Sequence, residues 1–194
     1  MAIRHNRGVQ RTAILVTAAA LLALAAPAGT PARTVSCASS DSTTVRENSV
    51  ARVYEAGDEL IACSKRTGRH ETLAGPQDQW REVRLRGHWA AFAHEFCLDA
   101  LGDECGWGVD LVHVMRRETI VFGVDGLPGR VVLRRTGGVA WSADEGSAYA
   151  VYRREGRRAR RLDRGRDVKA ASLRLRGSTL EWRRGTERRT ATLR

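Results

Sequence analysis

Four aromatic side chains, Tyr54, Phe92, Trp141 and Trp182, stand 38, 49 and 41 residues apart in this chain, each within or beside a short apolar run. The clearest copy of the recurring unit is residues 137 to 162. There Val139 to Trp141 is apolar, Asp144, Glu145 and Gly146 make a turn, Ala148 to Tyr152 is apolar again, and Glu155-Gly156 turns into a basic third segment. Short runs joined by tight glycine-containing loops are strands. Lys65 to Arg69 can be laid over Arg153 to Arg157, and Leu85, Leu133 and Leu175 precede the last three aromatics by seven, eight and seven residues.

A period near forty residues filled by short strands is the arithmetic of a propeller blade. Helical repeats reach the same length, but alternation is what the sequence shows: Leu173 and Leu175 against Arg174 and Arg176, Leu180 and Trp182 against Glu181 and Arg183. Ala148 to Tyr152 is apolar on both faces, the pattern of a strand between two neighbouring sheets. The expected fold is all-β, a propeller-like array of about four short antiparallel blades in one domain, residues 50 to 194. The copies run 50–79, 80–128, 129–170 and 171–194, with three, four, four and three strands. Residues 29 to 49 read as an extended lead-in with a strand near Thr43 to Arg46. A ring would use residues 33 to 46 to complete its last blade, removing an exposed edge. That four-blade closure is favoured over an open, curved stack.

The stretch from Ala140 to Tyr152, AWSADEGSAYAVY, resembles the WD40-like repeat of the TolB type, whose core is an aromatic-Ser-Pro-Asp-Gly turn followed by an apolar strand. Trp141, Ser142, Asp144 and Gly146 fit, Ala143 replaces the proline and Glu145 is an insertion. The chain is also similar to small secreted actinobacterial proteins of this repeat type. The resemblance implies a propeller scaffold and an extracytoplasmic location, not an activity.

Arg4, Arg7 and Arg11 precede an apolar run from Thr12 to Ala26, and Ala26-Pro27-Ala28 offers small residues to a signal peptidase. Residues 1 to 28 therefore read as a secretion signal rather than a spanning helix, since about 20 residues are needed to cross a bilayer. All four cysteines follow it. Three connectivities exist on paper; Cys37 with Cys63 and Cys97 with Cys105 keeps each bridge within a neighbouring stretch. The loop carrying Asp99, Asp103 and Glu104 reads as solvated and stapled rather than as a calcium site.

Charge divides unevenly along the chain. Residues 29 to 128 carry a net −4 and residues 129 to 194 a net +12. The basic half invites a polyanion, with Arg153, Arg154, Arg157, Arg158, Arg160 and Arg161 as the candidate surface. Arginine is also the chain's default cation, 31 against 2 lysines, so abundance alone identifies no site.

No GxSxG elbow or phosphate-binding glycine loop is present. Ser142 and Ser147 read as turn residues. His88 and His94 fall on one face of a single predicted strand and His113 on the next, so a cross-strand cluster is conceivable. The leading expectation is a secreted, non-catalytic binding or scaffold module, monomeric, without cofactor or metal. It would meet an unidentified protein or an acidic envelope polymer, not genomic nucleic acid, and would have no membrane span after signal cleavage. The alternative is an enzyme of unknown class using His88, His94 and His113.

Overall fold

A computed structural model describes Cys37 and residues 41–97 and 105–194. The expected secretion signal and the acidic loop of residues 98 to 104 lie outside the described residues. Fifteen strands and no helix are present among the described residues. The first sheet contains β1 (Ser42–Glu47), β2 (Ala51–Ala56), β3 (Glu59–Ser64) and β4 (His70–Ala74). The second contains β5 (Trp80–Arg86), β6 (Trp89–Cys97), β7 (Cys105–His113) and β8 (Glu118–Val124). The third contains β9 (Leu127–Leu133), β10 (Val139–Asp144), β11 (Tyr149–Glu155) and β12 (Arg158–Gly165), and the fourth β13 (Val168–Arg176), β14 (Thr179–Arg184) and β15 (Glu187–Thr192). Each sheet is an antiparallel meander in chain order, and none closes on itself.

Tight hairpins make the meanders. Gly156, with φ of 64°, occupies the first position of the two-residue turn between β11 and β12. That is the place a type II′ turn reserves for glycine, and its twist suits the strands it joins. The turns after β2, β5, β13 and β14 repeat the device. Gly126, with φ of 94°, has a second constraint: a Cβ there would lie 2.1 Å from the Asp144 carbonyl oxygen.

The four periodic aromatics all fall on the second strand of their sheets, and each is buried. Phe92 faces the core between sheets one and two, Trp141 the core between two and three, and Trp182 the core between three and four. Trp141 lies 5.4 Å from Phe122 and 5.7 Å from Tyr152, centre to centre. Successive residues on one strand feed different cores: Ala140 and Val151 pack toward sheet four, Trp141 and Tyr152 toward sheet two. The double-sided burial expected of the strand around Ala148 to Tyr152 is therefore present in β11, and β6 and β10 share it.

The array is open, and both of its ends are finished chemically. In the first sheet Tyr54 has no preceding sheet to face. It packs instead beneath the Cys37–Cys63 disulfide, its hydroxyl 2.8 Å from His70 Nδ1. Arg52 ties down the same end by donating to Thr44 Oγ1, Ser42 Oγ and the Cys37 carbonyl. On the outward face of sheet four, Glu181 is buried beneath Arg174, Arg176 and Arg188. No hydrophobic cluster of the described residues joins sheet four to sheet one.

Two expectations are corrected. The strand of the lead-in does not complete the last blade: β1 pairs with β2, from Ser42 opposite Ala56 to Glu47 opposite Arg52, so the first sheet has four strands and the fourth keeps three. The favoured ring closure is replaced by the open array, because the face of sheet one that a ring would need is already covered. The second disulfide joins Cys97 and Cys105 across the β6–β7 hairpin.

Gly126→Ala is expected to destabilise the fold by about 2–4 kcal/mol, since it combines a disfavoured φ with a backbone collision. Gly123, whose Cβ would meet nothing within 4 Å, is the control: its alanine variant should stay within about 0.5 kcal/mol of the parent. Urea unfolding of the two variants distinguishes them, and equal midpoints would refute the argument.

Candidate functional site

The inner edges of the four sheets are β1, β5, β9 and β13, and together they line one cleft of about 780 Å³. Its charged lining consists of Arg46, Arg84, Arg86, Arg130, Arg134, Arg135 and Arg174, and among the described residues no carboxylate side chain lines it. Four of these arginines, at 46, 84, 130 and 174, come one from each inner strand.

Local backbone geometry explains why they point where they do. Each inner strand breaks register with its neighbour beside the arginine: between Thr44 and Arg46, between Arg81 and Arg84, opposite Trp141 and Ala143, and between Lys169 and Arg174. A bulge re-aims the side chain that follows it. In β5 the break includes Glu82, one of two non-glycine residues with positive φ among the described residues. In β9 it is closed by Ser142, whose Oγ accepts from the Arg130 amide at 2.9 Å. In β13 Ser172 does the same for the Arg183 amide. Ser142 thus lies inside β10 as a bulge-filling acceptor, not in the turn where the sequence put it.

Once re-aimed, each arginine reaches the next sheet. Arg46 Nε donates to the Val83 carbonyl at 3.2 Å, Arg84 Nε to the Val131 carbonyl at 3.0 Å, and Arg130 Nη1 to the Ala171 carbonyl at 3.3 Å. Glu82 joins in, pairing with Arg84 and accepting from the Val131 amide at 3.4 Å. Arg134 donates to the Leu193 carbonyl. Arg174 has no following sheet and instead turns to Glu181, 2.7 Å away. Arg86 and Arg135 are exposed and spend no hydrogen bond on the described residues; Arg135 lies across the Gly87 turn, its Cγ 3.1 Å from where a Cβ would stand.

The arginines singled out from sequence lie elsewhere, on the outer strands of sheet three. Arg153 pairs with Glu155 and donates to the Thr192 carbonyl, Arg154 donates to the carbonyls of Gly156 and Gly137, and Arg160 pairs with Glu155. Arg157, Arg158 and Arg161 stand exposed around the same hairpin. Nearby Arg164 pairs with Glu145, and Arg184 with Asp163 and Asp167. Much of that outer charge is met by acidic neighbours; in the cleft Glu82 meets Arg84 and Glu181 meets Arg174, while Arg86 and Arg135 meet no carboxylate among the described residues.

The conceivable three-histidine cluster does not form. His88 precedes β6 and stacks on His113, ring centres 5.9 Å apart, while Trp89 lies opposite His113 in the β6–β7 ladder. His94 is opposite Gly108, five residues further along, toward the other end of the hairpin. There its Nδ1 lies 3.5 Å from Asp110 Oδ1, both atoms shut away from solvent and neither hydrogen bonded. Burial pushes the Asp110 carboxyl up to about 7, and the charge of Asp78 adds in the same direction. Burial pushes the His94 imidazole down, against an opposing pull from Asp78. A carboxyl that keeps its proton to unusually high pH therefore faces an imidazole that resists protonation, outside the arginine cleft. Among the described residues no group of three or more His, Cys, Asp or Glu side chains is placed to hold a metal ion.

Comparison with family models, curated proteins and solved structures gave no match.

Asp110 generates a pH signature. The unfolded chain releases this proton near the ordinary value of 3.8, the folded protein only near 7, so the native state loses stability as pH rises between those values. Asp110→Asn removes the loss. Relative to the parent, the variant should gain about 1–4 kcal/mol between pH 4.5 and 7.5 in urea unfolding; a difference constant with pH would refute the assignment.

Proposed function

We propose that this chain is a secreted, non-catalytic binding module of the WD40-like, TolB-type repeat class, which presents its inner arginine cleft to an anionic partner at the cell exterior. The observation that carries the reading is the seven-arginine lining without a carboxylate. In a concave, partly desolvated space such charges focus field lines and attract anions more strongly than the same charges spread over a convex face. Planar guanidinium forks also match phosphate, sulfate and carboxylate groups geometrically.

Secretion is supported by the basic, then apolar, N-terminal sequence and by two disulfides, which persist in oxidising compartments. Among the described residues no helix is long and apolar enough to cross a membrane. A rigid array whose sheets are locked by three shared cores suits presentation of a preformed surface. The partner in this reading is an acidic envelope polymer or a protein with an acidic face, met by a monomer.

The test is retention on immobilised heparin across a salt gradient. Arg86→Ser/Arg135→Ser removes two unpaired cleft charges, and Arg157→Ser/Arg158→Ser removes two from the outer hairpin, leaving the same net charge. The cleft variant should elute at distinctly lower salt than the outer one. Coincident elution would mean that only net charge matters and would overturn the proposal.

A further inference from the structure

We infer that the cleft is built for a compact anion carrying several phosphate or sulfate groups, held by guanidiniums of all four sheets at once and spanning from Arg46 of sheet one to Arg174 of sheet four. The inference rests on the reading of the cleft as the anion site, and adds the size and valence of the occupant.

Size comes first. About 780 Å³ falls within the range of small-molecule sites, roughly 300–1,000 Å³. A polymer bound along its length would need a continuous basic track, so an envelope polymer or acidic protein could place only a short charged segment here: beyond the cleft the arginines of sheets three and four pair repeatedly with Glu145, Glu155, Asp163, Asp167 and Glu187. The basic surface outside is interrupted by acidic residues; the cleft's own lining holds none among the described residues.

Valence follows from the unequal commitments of the seven arginines. Arg130 and Arg134 each hold one backbone carbonyl, Arg46 holds two, and Arg84 holds two and pairs with Glu82, which still leaves N–H groups of each five-donor guanidinium unused. Arg86 and Arg135 are wholly uncommitted. The donors thus surround the space rather than converge on one point, and one small anion could not reach them all. Two or more tetrahedral oxyanion groups on a short scaffold could, each taking charge-assisted bonds from a different pair of sheets. Of the carboxylates that reach these guanidiniums, Glu82 is held by Arg84 and the Val131 amide, and Glu181 is shared by Arg174, Arg176 and Arg188; none meets Arg46, Arg86, Arg130, Arg134 or Arg135 among the described residues.

A ligand so held links sheet four to sheet one, which no hydrophobic core among the described residues does. Binding would therefore slow opening of sheet four, giving a readout besides affinity.

The experiment is calorimetric titration of the oxidised protein with inorganic tripolyphosphate, and separately with sucrose octasulfate to distinguish the phosphate from the sulfate source. Hydrogen exchange is followed with and without each probe. One bound anion per chain is expected, with slowed exchange in β13 and β14. Affinity should fall at least about tenfold in Arg86→Ser/Arg135→Ser and again in Arg174→Gln, while Arg157→Ser/Arg158→Ser binds like the parent. Arg86 and Arg135 hold nothing in the protein, so their variant folds whether or not Arg174→Gln does. If the protein is retained on heparin in a cleft-dependent way but neither small probe binds, the compact-ligand inference fails and the anion-module reading stands. If no polyanion of either kind engages the cleft, both fall. Binding with affinity unchanged in the cleft variants would place the anion elsewhere and overturn the inference.

Discussion

An arginine on the inner edge of one sheet donating to a backbone carbonyl on the inner edge of the next is the interaction from which the array is assembled. It occurs three times, from Arg46 to Val83, Arg84 to Val131 and Arg130 to Ala171. An innermost strand has no further strand to pair with, so its outward carbonyls and amides need other partners. At Val131 both groups are met by side chains of β5, the carbonyl by Arg84 and the amide by Glu82. A charged donor of this kind contributes roughly 1.5–3 kcal/mol. Two guanidiniums about 8 Å apart repel by about 2 kcal/mol at an effective dielectric near 20. The two effects are of one size, so the same residues that fasten the sheets leave a net positive interior, in which Glu82 and Glu181 offset only Arg84 and Arg174.

The outer surface follows a different economy. There acidic residues are interspersed among the arginines of β11, β12, β14 and β15, and ion pairs such as Arg160 with Glu155 and Arg189 with Glu187 form on exposed ground. Exposed pairs add roughly 0–1 kcal/mol each, so they do more for solubility than for cohesion. Cohesion comes from the three shared cores and the aromatics within them. Removing a side chain as large and as buried as Trp141 would cost about 3–5 kcal/mol.

Hairpin positions and the strands carrying the periodic aromatics were legible, because period-two alternation and glycine turns are local properties of sequence; that the lead-in strand belongs to the first sheet, which makes Tyr54's strand the second rather than the first, was not. The disulfide pairing followed from loop length. The first strand of each sheet was harder to read. Its register is interrupted by a bulge, and a bulge such as that at Glu82 is a backbone event with no compositional mark. The arginines at 46, 84, 130 and 174 recur at 38, 46 and 44 residues, a spacing available in the sequence but hidden by 27 other arginines. The run from Arg153 to Arg161 drew notice by density, yet density says nothing about which charges already have partners. The histidines failed for a related reason: sharing a strand face does not make residues neighbours when six positions separate them.

Each sheet shares hydrophobic cores only with the sheets beside it, so the molecule behaves as a short row rather than a single block, and its stability is a sum of neighbour terms. The row is not symmetric. Both covalent cross-links lie in the first two sheets, while the last sheet is a strand short and is held on one side only. Thermal opening should therefore run backward along the chain, from the C-terminal sheet inward, so that a partly opened molecule keeps the disulfide-bonded half folded and re-forms by adding sheets onto it.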